Sequence, residues 1–294
     1  MFGGWYNRFD KLTINKVMQN KYIIKATGER EPFDSQKLRD SLIRAHASPE
    51  VADKITAQIE NRLKNGDSTK DIYHHAFKLL GEAEAPAAVR YSLRRAVMEL
   101  GPTGFPFEQF VAEIFRARGF ETTTDFIAKG ECADHEIDIV AWDKDRLILV
   151  EAKFHNELGI KSDLKIVLYI KARWDDLVNR EFEEFGSKKK MSEGWLVTNT
   201  KFSESAIKYA KCRNMKLVGW NYPEQGNLQD LIEEAHLHPI TCLNSTTPSD
   251  EKLLMQSGIV LCKQARDNPD ILKQAGLSDE KIRRMLVEID LIQK

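Results

Sequence analysis

The sequence lacks the features that would place it in a membrane or in an oxidising compartment. No apolar run approaches the roughly 20 residues that span a bilayer. The aromatic opening, residues 1–6, runs into charged residues without the apolar core of a signal peptide. The cysteines are few and show no C-x-x-C spacing: Cys132, Cys212, Cys242 and Cys262. We therefore expect a cytoplasmic protein with reduced thiols and no zinc site, disulfide framework or membrane partner.

The chain also lacks an excess of charge of either sign. Its 44 Lys and Arg balance 45 Asp and Glu, which gives a net charge of −1 and a pI near 6.7. This balance argues against a nonspecific coat for nucleic acid, although an acidic site can offset local basic patches. A hydrophobic content of 42% and a charged content of 30% are typical of globular proteins, and 294 residues suffice for two or three domains.

Two carboxylates and a lysine mark a predicted β-hairpin in the middle of the chain. If residues 143–146 form its loop, Asp138 lies directly opposite Glu151. Glu151 and Lys153 share a face because residues i and i+2 of a strand point the same way. Carboxylates suit Mg²⁺ and a lysine can position or activate water, which is the chemistry of phosphodiester hydrolysis. The alternative is a solvent-facing salt bridge, but the run 147–150 is apolar on both faces and predicts a buried strand.

A predicted amphipathic helix upstream carries a third acid. Its apolar stripe predicts a helix over residues 107–118 that ends at Gly119. Glu108 lies on the border of this stripe, where it can reach a site on the sheet, whereas Glu113 points toward solvent. The alternative role for Glu108 is that of an ordinary acidic residue at a helix N-terminus, favoured by the helix dipole.

Residues 105 to about 222 resemble the PD-(D/E)xK nuclease fold, and most of all the Mrr-type catalytic domain. The matching residues include Phe107, Glu108, Gly119, Phe120, Asp138, Glu151, Lys153 and the predicted strand 194–199. The resemblance implies that Glu108, Asp138 and Glu151 coordinate or orient a metal ion, Mg²⁺ or Mn²⁺, and that Lys153 is the catalytic lysine. Two positions depart from the Mrr pattern: the loop 130–135 is poorer in glycine, and Glu151 is often Gln.

Residues 21–100 resemble an ATP-cone, the small nucleotide-sensing module of ribonucleotide reductases. The resemblance rests on residues 24–28, 30–34, 37–38, 68–73 and 90–95. Four helices are expected here, with Asp34 as the cap of the first, Ser68 at the cap of the third and the start of the fourth at Ala85. It implies that ATP or dATP binds, with Lys25 and Lys37 at the phosphates and Glu31 and Thr69 at the base or ribose. Ala26 stands where many cones have Arg, which removes a phosphate-binding group. The alternative is a cone that serves only oligomerisation.

The remaining segments offer weaker signals. Basic residues in and just before a predicted helix over residues 162–184, and in the loop 186–190, are candidate contacts to DNA phosphate. They are Lys161, Lys165, Lys171, Arg173 and the three lysines 188–190. The alternative is that these residues form an ordinary solvated surface. His155 and Tyr169 are candidates to line the site. Residues 228–294 predict short helices that loosely resemble helix-hairpin-helix units, with dimerisation or packing as an equal alternative.

These patterns predict a multidomain α/β protein. The expected parts are an N-terminal extension (1–20), a mostly helical ATP-cone with short strands (21–100), an αβββαβ nuclease core with a central mixed sheet (101–227) and an all-α tail (228–294). We expect a homo-oligomeric, Mg²⁺-dependent DNA endonuclease modulated by ATP or dATP. The alternative is a nucleotide-responsive DNA-binding regulator or assembly protein without cleavage activity.

Overall fold

The computed structural model describes residues 21–25, 28–101, 105–157, 159–243 and 245–292. The predicted N-terminal extension and the Ala26 and Thr27 of the cone motif lie outside these residues. The chain divides into two compact units, Met1–Glu84 and Ala85–Lys294. Within the described ranges, no helix is long and apolar enough to cross a membrane.

In its described residues, the first unit combines a small sheet with three helices. In this sheet β1 (Tyr22–Ile24) pairs antiparallel with β2 (Arg30–Pro32) and parallel with β3 (Asp67–Ser68). The helices are α1 (Ser35–Arg44), α2 (Pro49–Arg62) and α3 (Thr69–Ala83). Asp34 and Ser68 accept hydrogen bonds from the backbone amides of Lys37 and Asp71, which confirms both as the predicted helix caps.

The second unit begins with the fourth predicted helix, α4 (Ala85–Met98). Its apolar face, which includes Leu93 and Val97, belongs to the same buried cluster as Phe107 and Leu231. Thr241 also donates a hydrogen bond to the carbonyl of Ala96, at 2.8 Å. The helix therefore packs inside the second unit, and the domain boundary at residues 100–101 stays a prediction.

A five-stranded mixed sheet forms the centre of this unit. Its strands are β4 (Glu121–Lys129), β5 (Asp134–Trp142), β6 (Leu147–Lys153), β8 (Glu193–Thr198) and β10 (Lys216–Val218), in the order β10-β8-β6-β5-β4. The first three run antiparallel as hairpins, and β6, β8 and β10 are parallel. The run Leu147 to Val150 is almost completely buried, which confirms the predicted central strand.

Helices cover both faces of the sheet. Helix α5 (Phe105–Ala117) packs on one face, in the buried cluster that contains Ile139 and Ile148. The other face packs against α6 (Leu164–Leu177) and α7 (Glu204–Cys212), and two short strands, β7 (Lys161–Ser162) and β9 (Lys201–Phe202), pair beside them. The prediction that α6 continues to residue 184 is wrong. The chain after Leu177 leaves the helix and buries Phe182 and Phe185 in the second cluster.

The remaining residues form the predicted all-α tail. Its helices are α8 (Leu228–Glu234), α9 (Pro248–Gln256), α10 (Cys262–Asp267), α11 (Asp270–Gln274) and α12 (Asp279–Ile292), with a 3-10 turn at Ile240–Cys242. The 3-10 turn and helices α9 to α12 enclose a separate apolar cluster around Leu254, Leu272 and Met285. The buried residues of α8, Leu228, Leu231 and Ile232, belong instead to the cluster that contains Ile139 and Ile148. Together with the mixed sheet, this tail confirms the multidomain α/β class.

Candidate active site

The central hairpin adopts the predicted register. Trp142 pairs with Leu147 and Ile139 with Val150, around a loop in which Asp143 accepts the backbone amide of Arg146 at 2.7 Å. Asp138 and Glu151 are the next positions along this register. The two carboxylates therefore emerge from adjacent strands on one face, at the end of the apolar part of the hairpin.

Asp138 is tied to the neighbouring strand. Its Oδ2 accepts a hydrogen bond from the backbone N–H of Ala152 at 2.7 Å. Burial raises the pKa of this carboxyl group, while the Ala152 hydrogen bond and the charge of Arg173 oppose the rise. The carboxylate is thus held rigidly in a poorly hydrated position, where an additional cation would stabilise its charged form.

Glu151 is likewise a buried carboxyl group with a raised pKa. Burial, followed by the charge of Asp138, raises the pKa of Glu151 to about 7. The guanidinium of Arg173 donates to Glu151 Oε2 at 2.6 Å and partly offsets this effect. Two desolvated carboxylates that repel each other are a suitable pair of ligands for a divalent cation.

Glu108 lies in the first turn of α5 and joins this acidic cluster. Burial raises the pKa of Glu108 to about 7, with further contributions from the charges of Asp138, Asp125, Glu136 and Glu151. The carboxylates of Asp138 and Glu151 at the end of the hairpin are thus among the charges that act on Glu108. Its place in the first turn of α5 also matches the alternative of an acidic residue at a helix N-terminus, so the role of Glu108 stays a prediction.

Lys153 completes the set at the end of β6. It is exposed, and its charge lowers the pKa of Glu151. Asp138 and Glu151 thus lie side by side at the end of the hairpin, their charges act on Glu108, and Lys153 acts on Glu151 from the exposed end of β6. Their individual catalytic roles stay predictions.

Sequence reasoning missed two residues of this site. In the register of β4 with β5, Asp125 lies opposite Asp138, and its φ is +55°. The charge of Asp125 raises the pKa of Glu108 and the pKa of Asp138. A non-glycine residue in this left-handed region inside a strand is uncommon. Arg173 was expected at DNA phosphate, yet it pairs with Glu151. For Asp125, the one signal in the sequence was an Asp directly after the Thr run 122–124, since such a run otherwise predicts a regular strand.

Asp176 on α6 binds the loop that precedes β5. Its carboxylate binds His135 Nε2 at 2.7 Å and accepts the backbone amides of Cys132 at 2.8 Å and Ala133 at 3.2 Å. The contact with His135, above all, lowers the pKa of Asp176 to about 2. This loop replaces the glycine-rich loop of the Mrr pattern, and the carboxylate provides the order that sets the start of β5.

A polar network lies behind Lys153. His155 Nε2 contacts Ser162 Oγ at 2.9 Å, and the side chain of Asn199 bonds both the amide and the carbonyl of His155, each at 2.8 Å. Burial and the charge of Lys153 lower the pKa of His155. The network holds the chain after Lys153 in place, with the imidazole neutral. Tyr169, the other predicted lining residue, is 64% exposed on α6.

The donor set fits a divalent cation in its chemistry, although it is not preassembled. Among the described residues, no three His, Cys, Asp or Glu side chains stand at metal-binding spacing. Asp138 and Glu151 nevertheless supply hard oxygen ligands whose mutual repulsion a cation would relieve. The Arg173 guanidinium now provides that positive charge for Glu151.

The predicted nucleotide-binding residues are only partly brought together. Lys25 forms ion pairs with Glu31 at 3.1 Å and with Glu29 at 3.4 Å. The hydrogen bond with Glu31 is the largest cause of the raised pKa of Lys25. Lys37 is 70% exposed and approaches Asp34 at 4.0 Å. Thr69 begins α3. In the part of the chain that the structure describes, no recorded contact joins Lys25 or Glu31 to Lys37 or Thr69.

Most of the basic residues expected at DNA are engaged in the protein. Lys171 pairs with Asp175, and Lys188 pairs with Glu183 at 2.9 Å. Lys161 and Lys165 are exposed. Binding of DNA phosphate by the engaged residues would require exchange of partners.

Comparison with known protein families agrees with this architecture. The family model for the ATP cone domain matches residues 21–96, that for a restriction endonuclease matches residues 102–221, and that named AF1548-like, C-terminal, matches residues 238–292. The chain is therefore an ATP-cone fused to an Mrr-type restriction-endonuclease domain, as predicted, and this domain defines a nuclease-type protein. The third match shows that residues 238–292 of the helical tail form a separate domain, the C-terminal domain of AF1548-like proteins.

A protein of the archaeon Archaeoglobus fulgidus, described as uncharacterized, is 36% identical over 179 residues, which are 60% of this chain and 97% of that protein. The chain belongs to this AF1548-like family. A crystal structure titled as AF1548, a protein of unknown function, shares 36% identity, covering 63% of this chain and 96% of that one, with a TM-score of 0.49. The MspJI restriction endonuclease, solved with a 27-mer oligonucleotide, shares 18% identity, covering 47% of this chain and 29% of that one, with a TM-score of 0.28.

Proposed function

We propose that this protein is a metal-dependent endonuclease that hydrolyses phosphodiester bonds in DNA and responds to ATP or dATP. The observation that carries the proposal is the convergence of Glu108, Asp138 and Glu151 beside Lys153, with carboxyl pKa values raised by burial and mutual repulsion. Carboxylates whose charge is unfavourable without a cation are expected at a metal-dependent site.

Each residue has a distinct role in this proposal. Asp138 and Glu151 hold the metal, and Glu108 assists as a further ligand or by hydrogen bonding to a ligand water. A bound Mg²⁺ or Mn²⁺ would supply Lewis-acid stabilisation of phosphate charge and a more acidic water. Lys153 orients or deprotonates the attacking water at the solvent side of the cluster. The Ala152 hydrogen bond keeps Asp138 aligned.

The proposed response to nucleotide has a structural route through α4. The ATP-cone match ends at residue 96, inside this helix, whose apolar face lies in the core of the nuclease unit. At the last residue of α4, Met98 Sδ accepts a hydrogen bond from Asn199 Nδ2 at 3.0 Å. The side chain of Asn199 also bonds the backbone amide and the carbonyl of His155. A change of α4 upon nucleotide binding would therefore reach the segment after Lys153. A change of oligomeric state is a second route.

Cleavage of supercoiled plasmid with Mg²⁺ or Mn²⁺ tests the proposal, using Asp138→Ala against the matched control Asp145→Ala. Asp145 is an exposed acid in the loop of the same hairpin. We expect metal-dependent nicking that only Asp138→Ala abolishes, and a changed rate when ATP or dATP is added. Equal rates and an unchanged mass by light scattering with and without nucleotide would contradict the regulatory part.

A second candidate is a nucleotide-responsive DNA-binding regulator. The ion pair between Arg173 and Glu151 favours it, because this contact engages one of the two proposed metal ligands. This alternative predicts that methylated, unmethylated and branched DNA are bound and never cut. For the endonuclease, restriction of foreign DNA is the proposed role, with repair or recombination next, in the cytoplasm.

A further inference from the structure

Arg173 contributes a positive charge to the acidic cluster. Its Nη1 donates to Glu151 Oε2 at 2.6 Å, and its Nη2 donates to the backbone carbonyl of Glu136. The side chains of the ion pair are 13% and 18% exposed. A guanidinium buried to this degree against a carboxylate is a specific counter-ion, in contrast to a surface pair.

The position of Arg173 is fixed by its helix. Trp174, the next residue, is buried against β8, where a Cβ at Gly194 would come within 2.4 Å of its ring. At the end of the helix, Asp176 binds the loop that begins β5. Tyr169, one turn earlier, places its ring 5.6 Å from the guanidinium carbon. The helix therefore holds the guanidinium of Arg173 against Glu151. The exposed ring of Tyr169 lies beside this guanidinium, at its solvent side.

We propose that Arg173 is an exchangeable counter-ion: it holds Glu151 in the free protein, releases this carboxylate to a divalent cation, and then binds a DNA phosphate. The inference rests on the proposed nuclease function, because it names the residue that links metal binding to substrate binding. A guanidinium matches the geometry of a phosphate as well as that of a carboxylate, so the same group can serve both partners.

A purely structural role for Arg173 makes the opposite prediction. If the residue only cross-links α6 to the sheet and orients Glu151, its removal loosens a metal ligand and weakens metal binding. If it competes for Glu151, its removal leaves a desolvated carboxylate without a partner and strengthens metal binding. The sign of the change in metal affinity separates the two roles without any measurement of activity.

The chain offers a closely matched control in Arg180. Its guanidinium also donates to one carboxylate, Glu184, at 2.5 Å and to one strand carbonyl, that of Lys129, at 2.8 Å. It is 18% exposed, similar to Arg173. Replacement of Arg180 therefore removes the same charge and the same kinds of contact away from the acidic cluster.

The test is Mn²⁺ binding to the full-length protein without DNA, measured by electron paramagnetic resonance for the native chain, Arg173→Gln and Arg180→Gln. We expect Arg173→Gln to bind Mn²⁺ at least about fivefold more tightly, the lower end of common coupling between ligands. Arg180→Gln should bind as the native chain does. Adding Asp138→Asn to Arg173→Gln should abolish the gain, which assigns it to this site.

Thermal unfolding shows whether each variant is folded, and Arg173→Lys is a second variant for the Mn²⁺ measurement. If Arg173→Gln does not fold without metal, folded Arg173→Lys should still bind Mn²⁺ more tightly than the native chain, because lysine cannot make the two-pronged contact. Unchanged or weaker Mn²⁺ binding by a folded variant would overturn the inference. Plasmid cleavage reports separately on the nuclease: tighter Mn²⁺ binding in a protein that cuts no DNA would retain the counter-ion and reject the nuclease.

Discussion

Asp138 accepts the backbone amide of Ala152 at 2.7 Å, and Ala152 is the residue between Glu151 and Lys153. One hydrogen bond thus ties a carboxylate on β5 to the backbone between Glu151 and Lys153 on β6. A carboxylate in this position helps to hold the site and supplies one of its charges, and substitutions can separate these two contributions.

Asp138→Asn should abolish activity without unfolding the protein. The amide oxygen can still accept the Ala152 N–H, while the loss of charge relieves repulsion with Glu151 and Glu108. We expect plasmid cleavage to fall by at least roughly 100-fold, since metal ligation contributes several kcal/mol, and the metal-free Tm to stay equal or rise. Asp134→Asn, an exposed acid at the start of β5, is the control and should retain cleavage. Retained cleavage by Asp138→Asn would exclude this carboxylate as an essential ligand.

The raised pKa of Glu108 should make the metal-free protein lose stability as pH rises. The pKa of Glu108 moves from 4.5 to about 7 on folding, so the folded state holds a proton that the unfolded chain has already lost. The stabilising effect is complete below pH 4.5 and disappears as pH passes through about 7. Glu108→Gln should therefore raise Tm relative to the native chain at pH 8, and by less at pH 5.

Glu113→Gln is the control for this pH experiment, because Glu113 lies on the same helix and pairs with Arg116. Its Tm difference from the native chain should not increase from pH 5 to pH 8. Mn²⁺ should raise the Tm of the native chain more at pH 8 than at pH 5, since metal ligands must be deprotonated. A Glu108→Gln difference that is independent of pH would show that this carboxyl group titrates normally.

Gly101→Ala should weaken the route from α4 to the active site. A Cβ at this position would lie 2.7 Å from Phe154 Cε1 and 2.8 Å from Asn156 Oδ1, directly after Lys153. Overpacking of this kind costs about 1–3 kcal/mol, which urea unfolding can measure. We expect slower cleavage and a smaller effect of ATP on the rate. Native stability and native nucleotide response together would show that the contact is not part of the coupling.

Lys37→Ala should reduce nucleotide affinity at little cost in stability. Lys37 is 70% exposed, and its ion pair with Asp34 is loose at 4.0 Å, so its charge is accessible to a phosphate. Loss of a charge-assisted contact predicts roughly tenfold weaker ATP binding by isothermal titration calorimetry. Lys54→Ala, an exposed lysine on α2, is the control. Equal ATP affinity in both variants would remove Lys37 from the nucleotide site.

The sequence predicted those parts of the structure that follow from local rules. The hairpin register follows from its loop length and alternation, and the caps at Asp34 and Ser68 follow from side-chain chemistry at helix starts. The end of α6 could not be predicted, because its apolar and charged pattern continues beyond Leu177 and packing of Phe182 decides where the helix stops.

The parts of the site that sequence reasoning missed depend on contacts between distant residues. Arg173 lies 22 positions from Glu151, and an arginine on a helix has the same local pattern whether it faces solvent or a carboxylate. Asp125 likewise reaches the site through the pairing of β4 with β5, which places it opposite Asp138, 13 positions along the chain. The membership of α4 in the nuclease core was hidden because an apolar helix face does not identify its partner.

Lys153 provides the most direct measurement of the central claim. Supercoiled plasmid should be incubated with Mn²⁺ and the native chain, Lys153→Ala or Lys144→Ala, a matched loss of an exposed lysine in the loop of the same hairpin. The account predicts metal-dependent nicking by the native chain and by Lys144→Ala, and its loss in Lys153→Ala with Mn²⁺ binding retained. Nicking by Lys153→Ala at the native rate, or no nicking by the native chain on any DNA that it binds, would contradict it.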